Sequence, residues 1–241
     1  MKKKYYALTQ TGRSADIYIF GDITSWEWSE SDVSSYTLSK ELDGLDVDEI
    51  NVHINSYGGE VAEGLTIYNL LRNHKAKVRT YCDGFACSIA SVIFMAGDER
   101  IMSEASMLMI HNARMYTGGN AAQLRKDADD LDKITQASVA AYMSRVSIDE
   151  TELKTLLDNE TWLLPGESLE MGFATSITAD AKTEKAAASA RKALFCLAKA
   201  GMSKTPPAEP TPPAPPVPPT PPSENKLQKL FSALVTGGKD E

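Results

Sequence analysis

Cys82-Asp-Gly-Phe-Ala-Cys-Ser-Ile-Ala-Ser-Val-Ile-Phe-Met-Ala-Gly97 is the stretch around which the chain is organised. It grows out of Ala76-Lys-Val-Arg-Thr-Tyr-Cys82, which alternates apolar and polar residues as a strand does. Asp83-Gly84 reads as a turn, and the residues from Ile89 to Ala96 are almost wholly apolar, as in a buried helix. That order puts Ser88 at or near a helix N-terminus, facing unpaired backbone N–H groups and the positive end of the helix dipole. Such a place favours an oxygen that becomes negatively charged during reaction. A serine there also serves as a plain helix cap. Taken alone the stretch leans to the cap; the rest of the chain shifts the balance.

Upstream, Asp16-Ile-Tyr-Ile-Phe-Gly21 reads as a short strand, and Ser31 to Leu42 as a surface helix with Val33, Leu38 and Leu42 inward, ended by Gly44. Asp48 to Asn55 alternates through Ile50, Val52 and Ile54, a strand with His53 on the opposite face in a structural role. Asn55-Ser-Tyr-Gly-Gly-Glu60 then leads into a helix with Val61, Leu65, Tyr68 and Leu71 at helical spacing. A double glycine between strand and helix exposes backbone N–H groups to whatever lies over the turn, although it also serves as a tight turn only. It is neither the GxGxxG fingerprint nor a Walker loop. The same strand–turn–helix pattern returns at Ser88. Two successive βα units predict a parallel sheet with its ligand site at the carboxyl ends of the strands. Arg100 to Met102 and Ser106 to His111 supply further strands, and His111 at a strand exit is the best-placed general base for Ser88.

Asn120 to Val146 predicts a long helix with Leu124, Ala128, Leu131, Ile134, Ser138 and Tyr142 near one face. Such a helix either projects towards another subunit or lies along its own core. Ser147-Ile-Asp-Glu150 reads as a capping box for the next helix, through Leu157. The globular domain is expected to span residues 1–177. An alanine- and lysine-rich helical extension follows at 178–204, then a spacer at 205–223 holding eleven of the twelve prolines, which is extended and unpacked. A short amphipathic helix at 224–241, with Leu227, Leu230, Phe231 and Leu234 on one face, reads as a docking peptide.

Composition sets the outer bounds. A chain of 241 residues has room for one domain plus tails, and 42% hydrophobic residues support a real core. The net charge of −8 argues against nucleic acid as the main partner. No apolar run reaches membrane-spanning length, and no apolar signal core follows the basic start, so a cytoplasmic location is expected. Three cysteines, Cys82, Cys87 and Cys196, are too few for a disulfide framework and lack the spacing of a zinc site. No cofactor or metal is expected. Cys87, beside Ser88, reads as a small buried residue. Histidine-dependent chemistry has three candidates: His53, His74 and His111.

Ile54-Asn-Ser-Tyr-Gly-Gly59, Gly84-Phe-Ala-Cys-Ser88 and Met109-Ile-His111, in this order and spacing, resemble ClpP, the proteolytic subunit of the Clp protease. The likeness runs from about Asp16 to Ile177. It implies an α/β, ClpP/crotonase-like fold of stacked βα units carrying a proline-rich C-terminal extension, and a ring-forming Ser-His-acid peptidase. Carried over residue by residue, Ser88 matches the nucleophile and His111 the base, while the N–H groups of Gly58 and Ile89 match the oxyanion hole. The acid position falls on Glu160, where the family has aspartate, with Asp158 as the fallback. Tyr57 stands where the family usually has proline. The added tail, Trp26-Glu-Trp28 and Glu160-Thr-Trp162 are similar to the prohead proteases of tailed bacteriophages. That branch implies ATP-independent cleavage of scaffold and capsid proteins in the host cytoplasm and procapsid, without nucleic acid or membrane. The alternatives are a housekeeping Clp subunit fed by an ATPase, a non-catalytic assembly protein with the same fold, and an acyl-CoA enzyme of crotonase type, against which the Ser-His pairing argues.

Overall fold

The structure is a computed structural model that describes residues 6–28 and 32–178. The three segments expected after residue 177 lie outside the described residues, apart from residue 178. A hairpin of β1 (Tyr6–Thr11) and β2 (Ser14–Ile19) turns at Gly12 and opens an eight-stranded mixed sheet. β2, β3 (Glu49–Ser56), β4 (Lys77–Cys87) and β5 (Glu99–Ser103) are parallel neighbours in that order, with β8 (Ser176–Thr178) beyond β5. The helices are α1 (Ser35–Asp43), α2 (Val61–Asn73), α3 (Ile89–Phe94), α4 (Ala121–Met143), α5 (Glu150–Asp158) and α6 (Pro165–Glu170).

β4 is the pivot of the sheet, and here the structure departs from the expected turn at Asp83-Gly84. The chain stays extended through both residues to Cys87. Its first half pairs with β5, from Arg79 to Cys82; its second half pairs with β6 (Met107–Ile110), from Phe85 to Cys87. Gly84 serves a close approach and not a turn, because a Cβ there would meet Asn55 Oδ1 at 2.5 Å. The same Asn55 oxygen accepts the Phe85 N–H at 3.1 Å, filling the gap where the β3–β4 register slips between Ile54 and Ser56. A side-chain amide thus stands in for a missing ladder bond, and β4 swings from one neighbour to the next without breaking.

One face of the sheet carries the core. Ala15, Ile17 and Ile19 of β2, Ile50, Val52 and Ile54 of β3, and Val78 and Cys82 of β4 are buried there, with every residue of α3. The opposite face is half-buried and polar or aromatic, so these parallel strands alternate where strands covered on both sides would be continuously apolar. His53 lies on that face, as its register required. It stacks between Tyr18 and Tyr81 with ring centroids 4.9 and 4.7 Å away, and its Nδ1 sits 2.8 Å from Asp83.

Several local expectations shift. α1 begins after its cap Ser34, whose Oγ accepts from Thr37 N, while Val33 forms a bridge to Ile23 ahead of the helix. The buried face of α2 is Gly64, Ile67 and Leu71, with Val61, Leu65 and Tyr68 only partly covered. Gly64 was invisible to an apolar count, yet a Cβ there would sit 2.1 Å from Ile89 Cγ1, so glycine is what lets α2 close on α3. α5 is capped by Asp149, which accepts from Glu152 N at 2.8 Å. Ser147 is occupied elsewhere, donating its N–H to Met171 O and its hydroxyl to Glu170 O. α4 is closed at its start by Asn120 and Gln123 in a capping box and buries Val139, Ala141 and Tyr142 only, near its end. Leu124 and Ile134 of the expected stripe are exposed, so the first four turns project. None of the helices among the described residues is long and apolar enough to cross a membrane.

Arg100 on β5 is buried, and its guanidinium donates to the carbonyls of Gly97, Gly172 and Phe173 at 2.8–3.2 Å. It ties the closing segment to the sheet without facing a carboxylate, and burial pulls its pKa down to about 10.

Candidate active site

The end of β4 delivers Ser88 to the rim of the sheet. Its N–H donates to Met109 O at 2.8 Å, which continues the β4–β6 ladder by one step. Its backbone then turns sharply, at φ 54 and ψ −128, a region that L-residues rarely occupy and that costs about 1–3 kcal/mol. Ser88 occupies the cap position of α3 but makes no side-chain capping bond. Its hydroxyl instead lies 2.8 Å from His111 Nε2. His111 comes directly after β6, the strand beside the second half of β4, so two neighbouring strand ends present the two groups.

The glycine turn after β3 reaches the same rim. A Cβ on Gly58, whose φ is +101, would stand 2.8 Å from both Ser88 Cβ and Cys87 O, and 3.2 Å from Ile89 N. Only a glycine fits against Ser88 there. The N–H of Gly58, however, donates to Ser56 Oγ at 3.1 Å. Gly59 bridges Ile23 through its neighbours, with Gly58 O accepting from Ile23 N and Glu60 N donating to Ile23 O. In a parallel bridge of that form the N–H of Gly59 itself points away from Ile23.

On its far side the His111 ring is unpaired. Nδ1 is buried without a hydrogen-bond partner. β7 (Thr161–Leu163) runs antiparallel to β6 with Ile110 opposite Thr161, so one step beyond the ladder Glu160 stands across from His111. Glu160 has a positive φ of 49, and its carboxylate pairs with Arg114. Asp158 accepts from Asn112 Nδ2 at 2.7 Å. Neither carboxylate is on the imidazole. Burial, chiefly, and the Arg114 charge hold the His111 pKa below its ordinary value, against an opposing pull from Glu160. That direction favours the neutral imidazole, the form able to accept a proton. Cys87 is buried and its thiol is pushed up to about 12, which leaves it un-ionised and inert beside Ser88.

Ser91 and Tyr142, which motif reading passed over, lie behind Ser88. Ser91 Oγ donates to Ser88 O at 2.5 Å and lies 2.7 Å from Tyr142 OH. A serine inside an otherwise apolar run was the available signal.

The rim of this sheet of stacked βα units thus holds a hydroxyl against an imidazole at the ends of adjacent parallel strands, with a glycine turn pressed on it. Comparison with known proteins narrows this: the chain matches the Clp protease family over residues 13–181 and belongs to it. It is 33% identical over 183 residues to an ATP-dependent Clp protease proteolytic subunit of Deinococcus radiodurans, covering 70% of this chain and 88% of that protein. A protein of the same name from Bdellovibrio bacteriovorus is 28% identical over 197 residues, with 75% and 92% covered. One from Chlorella vulgaris is 28% identical over 133 residues, covering 54% of this chain and 66% of that protein. The chain is a ClpP-like peptidase in its family and its fold.

Proposed function

We propose that the chain is a serine endopeptidase in which Ser88 attacks the scissile carbonyl while His111 takes the hydroxyl proton and returns it to the leaving amine. The 2.8 Å contact between Ser88 Oγ and His111 Nε2, made where the hydroxyl caps nothing, is the observation that carries this reading. Glu160 is the acid. It orients the imidazole through Nδ1 once its carboxylate leaves Arg114, and its position across from His111 favours it over Asp158, which holds Asn112. The tetrahedral oxyanion is received by the N–H of Ile89 and by an amide of the glycine turn. That second donor is Gly58, the glycine pressed on Ser88, whose N–H turns from Ser56 Oγ to the oxyanion. Ser88→Ala in the full chain is expected to lower peptide cleavage by about 10⁴-fold or more. Undiminished turnover in that variant would overturn the assignment.

The substrates under this reading are scaffold and capsid proteins, cut without ATP during bacteriophage head maturation by a ring-forming homo-oligomer. The sequence after residue 177 and the exposed Trp26 and Trp28 support that context, and the bare first turns of α4 support association between copies. A second reading, a subunit fed by an ATPase, is favoured by the names of the relatives, which are called ATP-dependent. Co-expression with a capsid protein and its scaffold separates the two. Cleavage without nucleotide or an unfoldase supports the first; cleavage that requires both ATP and an unfoldase replaces it with the second.

A further inference from the structure

Ser91 and Tyr142 are two buried hydroxyls that the proposed chemistry does not use. Both lie in apolar surroundings, Ser91 fully buried on α3 and Tyr142 at the end of α4 with its ring against Phe173. A buried hydroxyl is costly unless it is hydrogen-bonded, and their mutual contact at 2.7 Å ties the two together.

Proton counting gives the contact a direction. Ser91 has a single hydroxyl proton, and Ser88 O, a pure acceptor 2.5 Å away, takes it. The Tyr142 hydroxyl must then donate to Ser91 Oγ. Burial raises the Tyr142 pKa, so that donor stays protonated across the working range. The chain of bonds runs from Tyr142 O–H to Ser91 O–H to the carbonyl of Ser88, which also accepts Ser91 N–H at 3.0 Å.

The carbonyl of Ser88 and the N–H of Ile89 are opposite ends of one planar peptide. Rotation about ψ of Ser88, which sits at −128, swings both together. A clamp on the carbonyl therefore fixes where the Ile89 N–H points. We propose that Tyr142 and Ser91 are positioning residues that hold the Ser88–Ile89 peptide so that the Ile89 amide is aimed at the oxyanion. The inference rests on the reading of Ser88 as nucleophile and Ile89 as oxyanion donor, and it adds residues from α3 and α4 to that machinery.

The test uses Ser91→Ala, Tyr142→Phe and the double variant in the full chain. Each is assayed for hydrolysis of a peptide ester and for affinity towards a peptidyl trifluoromethyl ketone, whose adduct with a serine carries an oxyanion. Each single variant is expected to lose about ten- to a hundredfold in kcat, less than outright removal of a donor, with KM within about twofold. Affinity for the ketone should fall by the same factor as kcat, and the double variant should be no worse than the poorer single one, because the two hydroxyls act as one chain. Variants that melt earlier yet keep kcat and ketone affinity would overturn the proposal and leave the pair a packing feature. A wild-type chain that a fluorophosphonate does not label at Ser88 would instead overturn the reading of Ser88, and this inference with it.

Discussion

The two sides of His111 are built differently. On the Ser88 side every group is fixed by buried structure: the β4–β6 ladder holds the N–H of Ser88, Ser91 holds its carbonyl, and Gly58 presses against its Cβ. On the Glu160 side the imidazole nitrogen has no partner, and the carboxylate that stands across from it is engaged with Arg114. That ion pair is open to solvent, with side chains 62% and 56% exposed. Exposed pairs of this kind are worth about 0–1 kcal/mol. In the proposed chemistry Ser88 is thus preorganised by buried structure, whereas the Glu160 carboxylate is one side-chain rearrangement from the imidazole.

The sharpest way to break that contrast is to remove the Glu160 carboxylate. Glu160→Gln should lower kcat by about 10²–10⁴-fold, as loss of the orienting carboxylate does in serine triads, with KM little changed. Asp158→Asn should stay within about threefold of wild type, because it costs only the bond to Asn112. If the two variants exchange these outcomes in steady-state kinetics, Asp158 is the acid and the cross-strand argument fails.

A smaller effect is expected on the preorganised side. Gly64→Ala would drive a methyl into Ile89 Cγ1, and overpacking of this kind costs about 1–3 kcal/mol. Chemical denaturation should show that loss. Under the proposed role of the Ile89 amide, kcat should fall together with stability. A variant that is less stable but fully active would mean that the amide is insulated from its own side chain.

These two sides also mark how far the sequence could be read. The parallel βα arrangement was legible because strand alternation and the glycine turns are local signals, whereas the roles expected of Ser88 and His111 rested on three separated motifs in register. β4 ran past Asp83-Gly84 against expectation, since the group that replaces the missing ladder bond is the side chain of Asn55, a residue on another strand. Gly64 was missed for a related reason: its importance lies in the absence of a side chain, which an apolar period cannot register. The pairing of Glu160 with Arg114 depends on side-chain directions at the ends of separate segments, and no spacing rule encodes those.

The mildest perturbation addresses the ion pair itself. Arg114 contributes to holding the His111 pKa down, and Glu160 pulls it up. The folded value lies below the unfolded one, so between the two the unfolded chain binds more protons, and His111 costs stability as pH falls through that window. For activity the same sign means that the base stays neutral, and turnover persists, to a lower pH than an ordinary histidine allows. Arg114→Met removes a positive charge and releases Glu160 towards Nδ1, and both changes favour the protonated imidazole. The acid limb of kcat/KM should move to higher pH. On the plateau kcat should rise by at most about fivefold, the worth of an exposed pair. An acid limb that stays in place, or moves to lower pH, would show that Arg114 does not act on the imidazole and that Glu160 was never held back by it.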